Sequence, residues 1–401
     1  MTAVLPARAI RRARLATFAF FILNGFLLGM WLVHIPVVKD RVGASVPVLG
    51  WLLLLLGVGA FVGMQVGGWC SDRFGSSRVV LLGAAVNSLA VLGPGLATSV
   101  PTLAAALLVF GLTNGLIDIS MNTHAVEVER HYDRPIMASF HAYWSIGGLL
   151  AAITGGAMIS AGVPLTVTFG GAVVLGLAVT LVCRTSVLAG TSPTMADTAE
   201  VADSAALPRR TARWSGRVLA LGALAFILML SEGVANDWST VHLNETLGTS
   251  KATAAWAYGL FAAAMTTGRF ATDRIVHVVG PPAFVRAGAL IAAAGLATTA
   301  LAPHVAVALV GWTVTGIGLS GCVPQFFSAA GNVDQDASGT NLARVAGLGY
   351  LGLLAGPAII GGLNHWMDLP RTFWLPTAGC LVAGLVAARL LSRPSASAPP
   401  R

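Results

Sequence analysis

Residues 102–126 read TLAAALLVFGLTNGLIDISMNTHAV, and this segment sets the fold class. Its twenty-five residues include one acidic side chain, that of Asp118, and no Lys or Arg. A helix needs about 20 mostly apolar residues to cross the roughly 30 Å of hydrocarbon in a bilayer. The segment therefore predicts a membrane-spanning helix with a single carboxyl group in its interior.

The composition of the whole chain agrees with a membrane protein. The 401 residues include 24 Lys and Arg and 16 Asp and Glu, so 10% are charged, and 56% are hydrophobic. A soluble domain carries about 25% charged residues. This shortage of charge excludes a soluble enzyme, a disordered scaffold and a nucleic-acid-binding protein. The four cysteines lie far apart and have neither zinc-site spacing nor the pattern of a disulfide framework.

Eleven further stretches resemble the first in length and apolar content. We therefore predict an all-α integral membrane protein with twelve transmembrane helices, at residues 15–36, 47–70, 79–98, 102–126, 136–160, 164–184, 216–237, 252–271, 284–303, 305–330, 342–364 and 371–391. The basic N-terminal tail resembles the start of a signal peptide. Its apolar run is too long and lacks a clear cleavage site, so we interpret it as an uncleaved first span.

The distribution of Lys and Arg predicts the orientation in the membrane. With the N-terminus in the cytoplasm, twenty of the 24 basic residues fall on the cytoplasmic side. The other side receives Lys39, Arg41, Lys251 and Arg371. Span boundaries are good to three or four residues. No Lys or Arg is left inside a predicted span, since any that falls within the ranges above is among the three residues at one end. Short cytoplasmic loops are enriched in Lys and Arg. We therefore expect a multi-pass protein of the cytoplasmic (inner) membrane with both termini in the cytoplasm.

The predicted spans fall into two sets of six. Residues 185–215 are rich in Ala, Thr, Ser and Asp and are interpreted as a cytoplasmic linker between halves 1–184 and 216–401. The 2–3 loop GWCSDRFGSSR (68–78) and the 8–9 loop GRFATDRIVHVVG (268–280) both place an Asp-Arg pair just after a span. Paired halves with matching motifs are typical of secondary transporters that work by alternating access.

The segment Gly68-x-x-x-Asp72-Arg73-x-Gly75-x-x-Arg78 resembles the 2–3 loop signature of the major facilitator superfamily, departing from it at Ser77. The resemblance implies two six-helix halves related by a pseudo-two-fold axis. It also implies that Asp72 latches the halves on the cytoplasmic side, against the N-terminus of helix 11, where the helix dipole favours an anion. Asp273 and Arg274 in the 8–9 loop are the matching pair.

A narrower resemblance concerns helices 4 and 7. The strings GLTNGLIDISMNTHAVEVER and SEGVANDWSTVHL are similar to a bacterial group near the fucose–proton symporters. In that branch an acidic residue of helix 4 takes part in sugar and proton handling, and Asp118 stands at the matching position. Many drug–proton antiporters carry an Arg in helix 4, which this sequence lacks.

Two carboxyl groups lie well inside predicted spans, Asp118 in helix 4 and Glu232 in helix 7. An ionised carboxylate at the centre of a membrane helix costs about 2.5–3.5 kcal/mol or more, so such a residue faces the bundle interior. With no Lys or Arg in any predicted span, we expect both acids to exchange protons rather than to form permanent ion pairs. The alternative is a neutral acid hydrogen-bonded to a neighbouring helix.

Further candidates for solute or proton contact are polar or aromatic residues within the spans. Asn114 and Asn122 lie one turn to either side of Asp118 on one helix face, which we expect to line a cavity. The remaining candidates are Asn24, Trp31, His141, Trp144, Asn236 and Gln325. Trp residues near span ends also serve as interface anchors, and a lone His is often only packed.

The sequence thus predicts proton-coupled transport of a small polar, sugar-like solute, without cofactor or metal, by a chain that functions as a monomer in the lipid bilayer. Proton-driven efflux of a metabolite or drug is the alternative. A membrane enzyme or sensor is disfavoured because the longest loop carries no His, Cys or nucleophile constellation. No phosphate-binding G-x-x-x-x-G-K-[ST] motif is present, which argues against ATP hydrolysis.

Overall fold

The computed structural model describes residues 6–132, 136–188, 215–333 and 338–391, and these ranges are helical with no strand. Most of the predicted linker, at 189–214, lies outside the described residues. The first six helices are α1 (Ala7–Val42), α2 (Val46–Phe74), α3 (Ser76–Ala90, continued by Leu92–Leu96), α4 (Val100–Glu129), α5 (Met137–Ser160) and α6 (Leu165–Cys183).

The remaining helices of the described ranges follow the predicted linker. They are α7 (Gly216–Val241, continued by a π-helical turn His242–Thr246), α8 (Lys251–Val279), α9 (Pro281–Ala300), α10 (Val305–Leu319 and Cys322–Gly331), α11 (Ser338–Leu363) and α12 (Leu369–Thr372 and Trp374–Leu391). In the described ranges, eleven helices are long and apolar enough to cross a membrane, and α8 is the one outside that set. The all-helical, twelve-helix prediction is confirmed.

Several helices extend beyond the apolar stretches that predicted them. α7 continues through Asp237 to Thr246, and α8 continues through Arg269 and Arg274 to Val279. Arg269 and Arg274, which the Lys and Arg distribution assigns to the cytoplasmic side, are therefore helical. Hydropathy marks the apolar middle of a helix, whereas backbone hydrogen bonding continues into the polar residues at both ends.

Glycine shapes the breaks between consecutive helices. Gly75 separates α2 from α3 with φ 87° and ψ 139°, and Gly280 separates α8 from α9 with φ 79° and ψ 157°. Residues with a Cβ rarely adopt a positive φ, so glycine is needed at both turns. The two loops that share the Asp-Arg pair thus also share a backbone conformation.

The described residues cluster by contact into two units. One contains the described residues between 6 and 188 together with Asn236–Ala263 and Pro357–Met367. The other contains the described residues within 215–235, 264–356 and 368–391. Helices α7, α8 and α11 therefore each contribute one segment to each unit.

In the first unit, small residues allow the backbones of α2 and α4 to touch. A Cβ on Gly111 would collide with the carbonyl oxygen of Leu56, and a Cβ on Gly115 would collide with that of Ala60. Small residues at helix interfaces allow this approach in membranes, where lipid supplies no hydrophobic driving force between helices. Gly111 and Gly115 therefore permit the close approach of α2 and α4.

Candidate functional site

Three predicted site residues meet in the first unit. Asn24 of α1 donates from Nδ2 to Oδ1 of Asn114 on α4 over 3.0 Å. Trp144 of α5 donates from Nε1 to Oδ1 of Asn24 over 2.7 Å. Asn24 is buried and Trp144 is partly exposed. One amide therefore joins α1 to both α4 and α5.

The chemistry of the indole fixes the direction of these bonds. A Trp Nε1–H can only donate, so the Asn24 atom that faces it is the oxygen. The amide nitrogen of Asn24 consequently faces Asn114, whose oxygen accepts. Neither N–H bond of the Asn114 amide has an acceptor among the described residues, and Asn114 is 9% exposed. The cluster therefore presents hydrogen-bond donors beside a partly exposed aromatic ring.

Glycine contacts between α1 and α5 bring Asn24 and Trp144 together. A Cβ on Gly25 would collide with the carbonyl oxygen of Trp144, and a Cβ on Gly147 would collide with that of Ile22. Because the two backbones touch, the short Asn24 side chain reaches the indole directly. A larger residue at position 25 or 147 would separate the helices and break this hydrogen bond.

Asp118 lies one helical turn after Asn114 on the same face of α4. The side chain is partly exposed, and among the described residues no hydrogen bond or ion pair reaches its carboxyl group. Its backbone carbonyl accepts from Nδ2 of Asn122 over 2.8 Å, so the second predicted asparagine is bonded within its own helix. The carboxyl group thus keeps its full hydrogen-bonding capacity.

Glu232 differs from the expectation, because it has a basic partner. Nη2 of Arg269 on α8 lies 3.0 Å from Oε1 of Glu232 on α7, within the second unit. The two side chains are 31% and 20% exposed. The prediction that no Arg could neutralise Glu232 is wrong, because Arg269 was assigned to the cytoplasmic side whereas its side chain reaches Glu232.

Asp237 is an intrahelical acid that the sequence analysis missed. The predicted span ended at residue 237, whereas α7 continues for nine more residues including its π-helical turn. Its carboxyl group is partly exposed and has no hydrogen bond or ion pair within the described ranges. The buried Tyr258 of α8 lies near this carboxyl group.

Tyr258 connects Asp237 to the three-helix cluster. A Cβ built on Gly148 of α5 would lie 2.7 Å from the hydroxyl oxygen of Tyr258. Gly148 follows Trp144 by one helical turn, so the phenol packs beside the helix that supplies the indole. Polar groups therefore extend from Asp118 through Asn114, Asn24 and Trp144 towards Tyr258, all within the first unit.

The other predicted site residues have the following surroundings. Trp31 is buried with an Nε1 that has no partner among the described residues. His141 is exposed, and its ring stands edge-on to the Phe21 ring with the two centroids 5.3 Å apart. Gln325 donates to the carbonyl oxygen of Gly321 in α10 over 3.4 Å, and Asn236 is partly buried on α7. Their roles stay predictions.

The predicted latch is only partly described. The side chains of Asp72 and Asp273 lie outside the described part of the structure. Arg73 is exposed, with its guanidinium 5.8 Å from the Trp69 ring centroid, and Arg78 and Arg274 are also exposed. Gly68 is partly exposed and approaches Ile119 of α4. The latch therefore stays a prediction.

Comparison with known proteins places the chain in a family. The family model described as Major Facilitator Superfamily matches residues 15–333 and, in a second match, 221–401. An uncharacterised MFS-type transporter of Yersinia pestis is 35% identical over 356 residues, 88% of this chain and 89% of the relative. The uncharacterised transporter y4wD of Sinorhizobium fredii is 33% identical over 357 residues, 89% of this chain and 92% of the relative.

The fold is also similar to that of solved structures. A D-xylose–proton symporter superposes with a TM-score of 0.71 at 18% identity, covering 94% of this chain and 97% of the symporter. This likeness concerns the fold, and the narrower resemblance to the fucose–proton symporter branch stays a prediction. Two matches to the family model and relatives that align over most of their length show that the chain belongs to the Major Facilitator Superfamily of membrane transporters.

Proposed function

We propose that this transporter couples proton movement to the uptake of a small polar, sugar-like solute across the cytoplasmic membrane. The observation that carries the proposal is the Asp118 carboxyl group, which lies inside a membrane helix with no partner among the described residues. An ionised group in that position is costly, and intramembrane acids of this kind mark solute or proton pathways. Protonation removes the charge, so Asp118 as a neutral acid tolerates a change between aqueous and apolar surroundings.

The neighbouring cluster supports a polar solute. Asn114 has unused N–H donors, and the partly exposed Trp144 ring offers an apolar face. Sugars carry hydroxyl acceptors along their edges and C–H groups on their faces, so an amide beside an aromatic ring matches them. Because Asn114 precedes Asp118 by one turn, a solute bound at the amide lies next to the proton-binding group.

The second proton-binding position is assigned to Asp237 rather than to Glu232. Arg269 neutralises Glu232, so loss or gain of a proton there also breaks or forms an ion pair. Asp237 has no cation among the described residues and lies near Tyr258. Glu232 with Arg269 is proposed instead to hold α7 against α8 in the second unit.

The proposal is tested in proteoliposomes with tritiated D-xylose, other pentoses, hexoses and linear polyols. An inward gradient of one pH unit stores about 1.4 kcal/mol per proton, which supports roughly tenfold accumulation of a solute moved with one proton. Asp118→Asn should abolish this accumulation and keep solute exchange without a gradient. Asp368→Asn, which alters an exposed acid of a loop, is the matched control.

Three results would contradict the proposal. Full accumulation by Asp118→Asn would remove the coupling role from this residue. Gradient-driven expulsion of the solute would identify the antiport alternative instead. Absence of transport for the entire panel, with a folded wild-type protein, would exclude the sugar-like class. Asp237→Asn is measured in parallel, and unchanged accumulation there would restrict coupling to Asp118.

A further inference from the structure

Four charged side chains form a continuous network at the end of α1 away from the N-terminus. Nζ of Lys39 lies 2.7 Å from Oε1 of Glu245 and 3.5 Å from Oδ1 of Asp40. The other Asp40 oxygen, Oδ2, lies 2.5 Å from Nζ of Lys251. The charges alternate along the order Glu245, Lys39, Asp40, Lys251 and sum to zero.

The network joins three helices within the first unit. Lys39 and Asp40 belong to α1. Glu245 lies in the π-helical turn that ends α7, and Lys251 is the first residue of α8. The Lys and Arg distribution predicts this side to be extracytoplasmic. Two of the four basic residues assigned there, Lys39 and Lys251, are in the network, so the scarce outer charges are concentrated at one junction.

Packing beneath the network closes the same junction. Thr240 of α7 donates from Oγ1 to the carbonyl oxygen of Leu32 on α1 over 3.3 Å, and Thr240 is fully buried. A Cβ on Gly259 of α8 would lie 2.9 Å from the Ala152 Cβ of α5. α7 therefore packs closely on α1, and α8 packs closely on α5, beside the network.

We propose that Lys39, Asp40, Glu245 and Lys251 form an outer latch that must break before the transporter opens to the extracytoplasmic side. The proposal rests on the proposed function, because alternating access requires this junction to open. Because the four side chains are only partly buried, their ion pairs can break and form again. Lys39 is 9% exposed and would lose two acidic partners on opening, whereas Asp40 is 46% exposed and remains close to water.

The different burial of Lys39 and Lys251 predicts which substitution opens the junction more often. Removing the Lys39 charge leaves Glu245 without its partner and separates the network into pieces, so Lys39→Gln should open the junction most often. Lys251→Gln removes one ion pair from a residue that is 28% exposed and should have a smaller effect. Arg41→Gln is the matched control, because Arg41 lies near Lys39 but donates to the carbonyl oxygen of Gly95 on α3.

The experiment measures opening without any solute, so its outcome is independent of the transport assay. Thr240→Cys is introduced, and a membrane-impermeant maleimide is added to the outer face of right-side-out vesicles. Peptide mass spectrometry separates label at position 240 from label at the four native cysteines. Lys39→Gln should raise the labelling rate on the order of tenfold, Lys251→Gln less, and Arg41→Gln not at all.

A charge exchange keeps the test decisive if a single variant folds poorly. Lys39→Glu combined with Glu245→Lys restores an ion pair between the same positions and should return the labelling rate towards the wild-type value. Unchanged labelling in Lys39→Gln, or labelling of the exchanged variant as fast as that of Lys39→Gln, would overturn the latch. If labelling responds as expected while proton coupling fails in proteoliposomes, the latch stands and the proposed function does not.

Discussion

Replacing Asn24 with Leu is expected to destabilise the protein by about 2–3 kcal/mol. Asn24 is 1% exposed and holds both side-chain hydrogen bonds of the three-helix cluster. Leu is close in volume, so the change removes the bonds without leaving a large cavity. Leaving a buried polar group without a partner costs about 1–3 kcal/mol. The buried Asn114 oxygen carries most of this cost, while the partly exposed Trp144 N–H can bond to water and adds less.

The measurement is reversible unfolding in mixed micelles, followed by tryptophan fluorescence and far-ultraviolet circular dichroism. Asn122→Ala is the matched control, because Asn122 bonds only to the backbone of its own helix and should cost less than about 1 kcal/mol. Hydrogen bonds between membrane helices average about 0.6 kcal/mol in some double-mutant cycles. An Asn24→Leu effect no larger than that of Asn122→Ala would therefore refute the argument that the cluster is an energetically coupled junction.

Two further predictions concern packing and charge. Glu232→Gln should lower the unfolding free energy by about 1 kcal/mol, because Arg269 loses its charged partner in a partly exposed pair. Combining it with Arg269→Gln should recover part of the loss, and additive effects in this double-mutant cycle would show that the pair is not coupled. Gly111→Val should prevent stable folding, because its side chain meets the Leu56 backbone, whereas Gly171→Ala on α6 faces open space and should leave the melting temperature unchanged. Equal melting temperatures for both glycine variants would contradict the close approach of α2 and α4.

The twelve helices could be predicted because bilayer thickness imposes a length on every apolar segment. The residues of the three-helix cluster could be predicted as site residues for a related reason, since amides inside apolar helices require polar surroundings. Their mutual contact could not be predicted. It depends on how far α1 and α5 rotate about their axes and how closely they approach, which Gly25 and Gly147 determine through the neighbouring backbone.

The errors in the sequence analysis share one physical cause. Hydropathy falls before a helix ends, so it predicts Asp237 and Arg269 as boundary residues although α7 and α8 continue past them. The helices persist there because backbone hydrogen bonding continues into polar residues, and α8 carries a charge partner for Glu232 in this region. The consequence for the mechanism is direct. A cation beside an intramembrane acid favours its ionised form and opposes proton uptake. Asp118 and Asp237, which lack such a cation in the described structure, are therefore the pair that coupling experiments should separate.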